Sequence, residues 1–525
     1  METGGSREDA SSSGGQLRRC DGMLGVEDLR EWMGDQWEAL RGWLRPAPRT
    51  LPRPRPGFRR TASVALVIFL GTFGLGILIN SLDPFGMKSA AERHSSQVAA
   101  RFLAPRYDSQ AQDHVAVLLI DSSTLDHYGM PWPAEYGFYE ETIRRLLRLG
   151  AAGIYVDILL ADEGRADPTL ADAREWMQQE LADHPDVPVV FGATAVGQKT
   201  IFGDVPGVAS GIAMWHGLGE DYPLLIDPGN RFHDAGRETV TVAASSPAYL
   251  LYRGVCQSSA LPGCHRAGAP LAEGSEREPM TLFWGQRLPR ASAAGVDCTV
   301  PEEQPREGWF GAGLANVWAS LKSGFRSQEY QANREACPYT LTLRLQELED
   351  SAKQELIRDR VVMVGTMLPG MDDSVFSPVH QLLPGVYQHA MALDNLMHWG
   401  EQRLHRHPWT QFWISVLVAL ALSAALAFAH MHVAGAWARR GLLLAAFLAF
   451  PLGSIAAQQI WLRQPPIDWL GLSALFAVVF LGVRPRRRRK QDPEAAPVQA
   501  SAPCDGEPVA IAVEEVEPME SGSTA

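Results

Sequence analysis

The chain has 525 residues, of which 46% are hydrophobic and 20% are charged; these ordinary globular values exclude a wholly disordered chain. Its mean hydropathy of −0.10 excludes a protein made mostly of membrane spans. Its 47 basic and 60 acidic side chains give a net charge of −13, which argues against a nucleic-acid-binding protein, because such proteins hold phosphates largely through Lys and Arg.

Residues 1–60 are predicted to form a cytoplasmic tail that contains one amphipathic helix at 26–44. Apolar side chains recur there at helical spacing and form one stripe, at Val26, Leu29, Met33, Trp37, Leu40 and Leu44. The remaining surface of the helix is acidic rather than Lys-rich, which favours a cytoplasmic protein partner over anionic lipid. A stiff Pro/Arg-rich linker follows the helix.

Residues 61–82 carry no charged side chain and are predicted to be a transmembrane helix, because about 20 apolar residues cross the hydrocarbon core. A cleaved signal peptide is the alternative. Such a peptide would follow a short basic segment, whereas 60 residues precede this one. The segment is therefore interpreted as an uncleaved anchor.

Residues 83–408 are predicted to form an extracytoplasmic α/β domain with a mostly parallel, open sheet and flanking helices. The apolar segments at 114–121 and 153–162 are continuous and end on carboxylates, a pattern typical of strands covered on both faces. Further predicted elements alternate between helix and strand, namely helix 140–149, helix 171–181, strand 187–194, strand 361–366 and helix 386–398.

The turn-rich segment 201–353 is interpreted as an insertion or an extension of this sheet. It contains four cysteines, Cys256, Cys264, Cys298 and Cys337. In an oxidising compartment four cysteines can form two disulfides with three possible pairings. The alternative is that these thiols are buried and inert.

Three more predicted spans close the chain, at residues 409–430, 441–462 and 465–483. Lys and Arg are concentrated before the first span and after the last, so both termini are predicted to be cytoplasmic, with the main domain outside. Residues 484–525 combine a basic stop-transfer segment with an acidic tail that is too polar to fold.

Two segments of the predicted domain resemble one known family. VAVLLIDSSTLDHYGMPWP, beginning at Val115, resembles the opening of the type-2 CHASE domain, an extracellular sensory module of bacterial cyclases and histidine kinases, and RVVMVGTMLPGMDDSVFSPVHQLLPGV, beginning at Arg360, resembles its closing segment. The resemblance covers roughly residues 90–400 and implies a multi-pass protein of the bacterial inner membrane with a periplasmic or extracellular sensory domain. The middle matches poorly, and the output domain usual in the family is missing, so a signal is expected to leave through a separate partner.

Carboxylates that follow the predicted strands form the candidate ligand site. Ligands of open α/β sheets bind outside the carboxyl ends of the strands, and carboxylates clustered there could bind a cation or an amine. The candidates are Asp121, Asp157, Asp372 and Asp373. The alternative is that they cap helices or accept backbone N–H groups in turns.

Other candidates carry less information. Trp132 and Pro133 form a rigid loop beyond the first strand and are interpreted either as an aromatic wall for a ligand or as a plug on the sheet. His380, His389 and His398 recur every nine residues, which places them on no single helical face, so no metal site is predicted.

No catalytic signature is present: the chain lacks a Gly-x-Ser-x-Gly elbow, a phosphate-binding Gly-x4-Gly-Lys-Ser/Thr loop and a His-Glu-x-x-His motif. Neither enzyme activity nor a cofactor is therefore predicted. The favoured function is a membrane-anchored sensor or ligand-binding subunit for a small molecule or an envelope protein. An envelope scaffold that recruits partners through its cytoplasmic tails is the alternative, and an extracytoplasmic enzyme would rest on the carboxylates alone. A homo-oligomer is compatible with the sequence.

Overall fold

The computed structural model describes most of the predicted domain and the whole of the helix predicted to span the membrane at 409–430. The described residues are 87–161, 167–195, 197–214, 221–226, 243–258, 263–265, 269–285, 308–322, 340–370, 373–432 and 457–465, with residue 261, residues 453–455 and parts of 63–78. The helix predicted at 26–44, the span at 465–483, most of the span at 441–462, Asp372, Cys298 and Cys337 lie outside them.

The secondary structure alternates between strands and helices. The strands are β1 Val115–Asp121, β2 Gly153–Val156, β3 Val189–Ala193, β4 Val208–Ile212, β5 Asp221–Tyr222, β6 Leu225–Ile226, β7 Ala244–Ser245, β8 Met280–Thr281, β9 Leu341–Arg344, β10 Val361–Met367, β11 Ser374–Ser377 and β12 Gln381–Pro384. The helices are α1 Met87–Leu103, α2 Ser122–Tyr128, α3 Tyr136–Arg148, α4 Leu170–Asp183, α5 Pro247–Tyr252, α6 Trp309–Lys322, α7 Ser351–Gln354, α8 Val386–Trp399 and α9 Pro408–His432.

Six strands form one open sheet in the order β4-β3-β2-β10-β1-β9. Every neighbouring pair in it is parallel. The predicted α/β fold with a parallel open sheet is therefore confirmed. Both edge strands, β4 and β9, come from the segment 201–353, so this segment extends the sheet.

Helices cover both faces of the sheet, which explains why its central strands are continuous apolar segments. Along β1, Leu118 and Ile120 belong to the cluster beneath α3 and α4, whereas Val117 and Leu119 belong to the cluster beneath α5 and α8. All four side chains are buried. Burying each such side chain stabilises the fold by roughly 1.5–3 kcal/mol, so the two apolar clusters fix the three-layer arrangement.

Cys256 and Cys264 form a disulfide, with their Cα atoms 5.7 Å apart. The bond closes a short loop directly after α5, on the face of the sheet that α8 also covers. Of the three possible pairings of the four cysteines, the structure therefore contains the one that joins these two.

Within the described residues, one helix is long and apolar enough to cross a membrane. It is the part of α9 from Trp409 to Phe428, 20 residues with a mean hydropathy of 2.0. Helical residues of the predicted first span pack beside it, and the Thr72 hydroxyl donates a hydrogen bond to Ser423 Oγ at 3.0 Å. The chain thus enters and leaves the α/β domain through neighbouring helices.

Candidate functional site

The connection after β10 lies on one face of the sheet, whereas the connections after its two neighbours, β1 and β2, lie on the other face. After β1 and β2 it forms α2, α3 and α4, whereas after β10 it forms the β11–β12 hairpin and then α8. Adjacent strands whose connections diverge in this way leave a crevice at their carboxyl ends, where ligands of open α/β sheets bind. Asp157 lies at this edge, and its amide donates to the Val364 carbonyl at 2.8 Å.

Asp157 is the centre of a buried polar cluster in the crevice. The Tyr155 hydroxyl donates to Asp157 Oδ1 at 2.6 Å, and His389 Nε2 lies 3.8 Å from the same oxygen. On the other side of the imidazole, His389 Nδ1 and the Tyr222 hydroxyl are 2.7 Å apart, and the Ala248 amide donates to that hydroxyl at 3.3 Å. If Tyr222 donates to Nδ1, the ring hydrogen of a neutral His389 lies on Nε2 and points towards Asp157.

Asp373 lies at the exposed mouth of the crevice. The Gly385 amide donates to its backbone carbonyl at 3.1 Å, and a Cβ atom at position 385 would overlap the Asp373 carboxylate. The glycine of the Pro-Gly-Val segment therefore leaves space for this carboxylate immediately before α8 begins.

Burial sets the charges of the crevice. It raises the pKa of Asp157 to about 6 and lowers the pKa of His389 to about 4. Partial burial, together with the charge of Asp157, raises the pKa of Asp373 to about 6. At pH 7 or above, the crevice therefore holds two carboxylates and a neutral imidazole, an arrangement that attracts cations and amines rather than anions.

Asp121 has partners of its own at the end of β1. Asp121 Oδ1 accepts a hydrogen bond from the Thr124 amide at 2.9 Å, as the N-cap of α2, and Arg344 forms an ion pair with the carboxylate at 2.9 Å. Although burial opposes the change, hydrogen bonds from Ser123 and Thr124 lower the pKa of Asp121. This is the helix-capping arrangement, and it uses the carboxylate away from the cluster around Asp157.

The remaining predicted site residues are not part of the cluster around Asp157. The half-buried Trp132 packs against the apolar cluster beneath α3 and α4, and Pro133 follows it through a cis peptide bond. Asp372 lies outside the described residues. Among the residues that the structure describes, no group of three or more His, Cys, Asp or Glu side chains is arranged to hold a metal ion.

Sequence reasoning missed Tyr155, Tyr222 and the role of His389. Tyr155 could have been found, because it lies two residues before Asp157 in a predicted strand and so shares its face of the sheet. The nine-residue spacing of His380, His389 and His398 gives no sign that His389 meets Tyr222 and Asp157. Tyr222 comes from the turn-rich segment 201–353, where no local pattern connects it with Asp157.

A second buried carboxylate lies further along α8. Asp394 is fully buried and accepts hydrogen bonds from the Tyr107 hydroxyl at 2.8 Å and from Ser109 Oγ at 2.5 Å. Burial raises its pKa to about 7, although both hydrogen bonds oppose the change. Tyr107 and Ser109 lie between α1 and β1, so this carboxylate joins α8 to the segment through which the chain enters the domain.

Comparison with known protein families gives a match that covers the domain and most of α9. A family model described as CHASE2 domain matches residues 65–428, more than half of the chain. No curated protein and no solved structure matches the chain significantly.

Proposed function

The chain belongs to the CHASE2 domain family, an extracytoplasmic sensory family, and we propose that it is a membrane-anchored sensor that signals through a separate cytoplasmic partner. In this proposal both termini lie on the cytoplasmic side of the membrane, as the distribution of Lys and Arg predicts. The amphipathic helix at 26–44 would be the surface that binds the partner.

The observation that carries the proposal is an ionic contact which joins the two chain segments next to the membrane. Arg406, two residues before α9, lies 3.5 Å from Glu92 on α1 and 3.0 Å from Asp221 on β5. Asp221 is followed by Tyr222, whose hydroxyl contacts His389 in the crevice. A ligand that moves β5 would therefore act simultaneously on α1, where the chain enters the domain, and on the segment before α9, where it leaves.

Helix α8 provides a second connection from the crevice to the chain segments next to the membrane. Its first turn places His389 in the crevice, its middle places Asp394 against the segment after α1, and it ends at Trp399, shortly before α9 begins at Pro408. A ligand shifts such an arrangement only by the difference in its affinity for the two states. The desolvated carboxylates at one end of α8 would supply that difference for a cationic ligand.

The ligand class can be tested with the full chain in lipid nanodiscs, with putrescine as the amine probe and Ca²⁺ as the metal probe. We expect one of them to raise the thermal midpoint of the domain saturably, and Asp157→Asn to weaken that binding at least tenfold, because it removes the central charge. Asp121→Asn is the matched control and should respond as the wild type does. Equal responses of all three proteins would show that Asp157 does not contribute to ligand binding. If none of the three proteins responds to either probe, the proposal of a cationic ligand is wrong.

The route of the signal is tested at the cytoplasmic tail. We expect the full chain, purified from its native membrane, to retain a kinase or a cyclase, and Trp37→Glu with Leu40→Glu to release it because these changes break the apolar stripe. Glu31→Gln with Glu38→Gln lies off the stripe and should retain it. Retention of an assembly or transport component instead would favour an envelope scaffold.

A further inference from the structure

We propose that α6 lies on the outer surface of the lipid bilayer and inserts one apolar stripe into the headgroup region. The stripe consists of Phe310, Leu314 and Trp318, which recur every four residues and so share one side of the helix. These residues are 47%, 41% and 67% exposed. The single charged residue of α6 is Lys322, its last, so the exposed side of this helix offers water no ionic group along its first three turns.

The opposite side of α6 is packed on α1. A Cβ atom at Gly313 would overlap the backbone carbonyl of Phe102, so the glycine permits the two helices to approach closely. Asn316 Nδ2 donates to the Arg101 carbonyl at 3.2 Å, and Ala312 is buried on this side. Phe310 lies at the edge of the stripe, because its half-exposed ring also meets the ring of Phe102 edge to face at 5.4 Å. These contacts fix which side of α6 remains uncovered.

The same packing places α6 near the points where the chain meets the membrane. Phe102 and Leu103, at the end of α1, form a buried cluster with Ile455, against which Val317 and Ile460 pack. Ile455 and Ile460 belong to the third predicted span. The residues next to Val317 and Ile460 are Trp318 and Trp461, and Trp461 is 81% exposed.

Lipid, rather than another protein, fits this surface best. The start of α9 carries two further exposed tryptophans, Trp409 at 71% and Trp413 at 58%. The His407 amide, just before α9, donates to Gln464 Oε1 at 3.0 Å, so the start of α9 and the segment with Trp461 are neighbours. Tryptophan is enriched where a membrane protein crosses the headgroup region, and the stripe on α6 continues this belt without adding charge.

The test uses the full chain in phosphatidylcholine vesicles with an environment-sensitive fluorescent amino acid at position 318, read with and without lipids that carry a nitroxide near the headgroup. Because Trp318 is exposed, this replacement is expected to leave the fold intact. We expect the nitroxide lipids to reduce the emission at least twofold. A probe at Trp176, an exposed tryptophan on α4 (48%), is the matched control and should keep its emission.

Two results would overturn the proposal. One is equal quenching at positions 318 and 176, which would show that α6 is no closer to lipid than α4 is. The other is protection of the 318 probe from nitroxide quenching that disappears when the chain is diluted in excess lipid, together with chemical crosslinks between α6 helices of different chains. This result would show that a second copy of the chain covers the stripe. Quenching that persists on dilution supports the lipid surface.

Discussion

Asp394→Asn is expected to abolish one pH-dependent contribution to stability. In the wild-type domain, ionisation of Asp394 lowers the free energy of unfolding as the pH rises from about 4 to 7. The pKa of Asp394 is about 7 in the folded domain, against about 3.9 in an unfolded chain. Between these values the folded state holds a proton that the unfolded state has released, so raising the pH favours unfolding. The difference corresponds to a contribution on the order of 4 kcal/mol, present below pH 4 and lost by pH 7.

Urea denaturation of the full chain in detergent, followed by tryptophan fluorescence at pH 5 and pH 8, measures this effect. We expect Asp394→Asn to be more stable than the wild type at pH 8 and equal to it or slightly weaker at pH 5, since an amide has one acceptor fewer for Tyr107 and Ser109. The comparison isolates Asp394, because Asp157, Asp373 and His389 titrate in both proteins. Asp126→Asn, on the exposed side of α2, is the control and should shift neither value. A parallel loss at both pH values would contradict a proton on Asp394.

Gly365→Ala is expected to destabilise the domain by about 3 kcal/mol, at the upper end of the usual cost of overpacking a core. Gly365 lies on β10 beneath the start of α8, and a Cβ atom there would be 2.6 Å from both Cβ and Cγ1 of Val386. Val386 is fully buried and cannot turn away. The added methyl group must therefore push the first turn of α8, and with it His389, away from the sheet.

The matched control is Gly192→Ala on β3, where the nearest atoms to an added Cβ lie at 3.4 Å or more; its cost should remain below about 1 kcal/mol. Denaturation gives the two costs, and hydrogen exchange over residues 386–389 reports whether the start of α8 has moved. Equal costs, or unchanged exchange in Gly365→Ala, would contradict a tight contact between α8 and the sheet.

Local pattern predicted much of the fold. Strands β1, β3 and β10 and helices α3, α4 and α8 lie near the positions that the pattern predicts, because burial on both faces makes a strand continuously apolar and burial on one side makes a helix periodic. Strand β2 begins where predicted but ends at Val156, earlier than the apolar segment 153–162 indicates. The uncharged length of the predicted span at 409–430 likewise corresponds to an observed helix, α9, that is long and apolar enough to cross a membrane. These features depend on neighbouring residues alone.

The candidate site depended on contacts between distant parts of the chain. Asp121 and Asp157 both lie at the ends of apolar strands, yet Asp121 caps α2 whereas Asp157 lies in the crevice. The cause is strand order, because β10 lies between β1 and β2 and its connection runs over the opposite face of the sheet. His389 and Tyr222 reach Asp157 from segments that no local periodicity connects with it, and the joining of Cys256 to Cys264 was one of three open pairings. The sequence by itself determined the central strands of the sheet and the helices with a clear apolar periodicity, whereas only the tertiary structure decided the edge strands and which side chains meet, because strand order arises from packing between residues far apart in the chain.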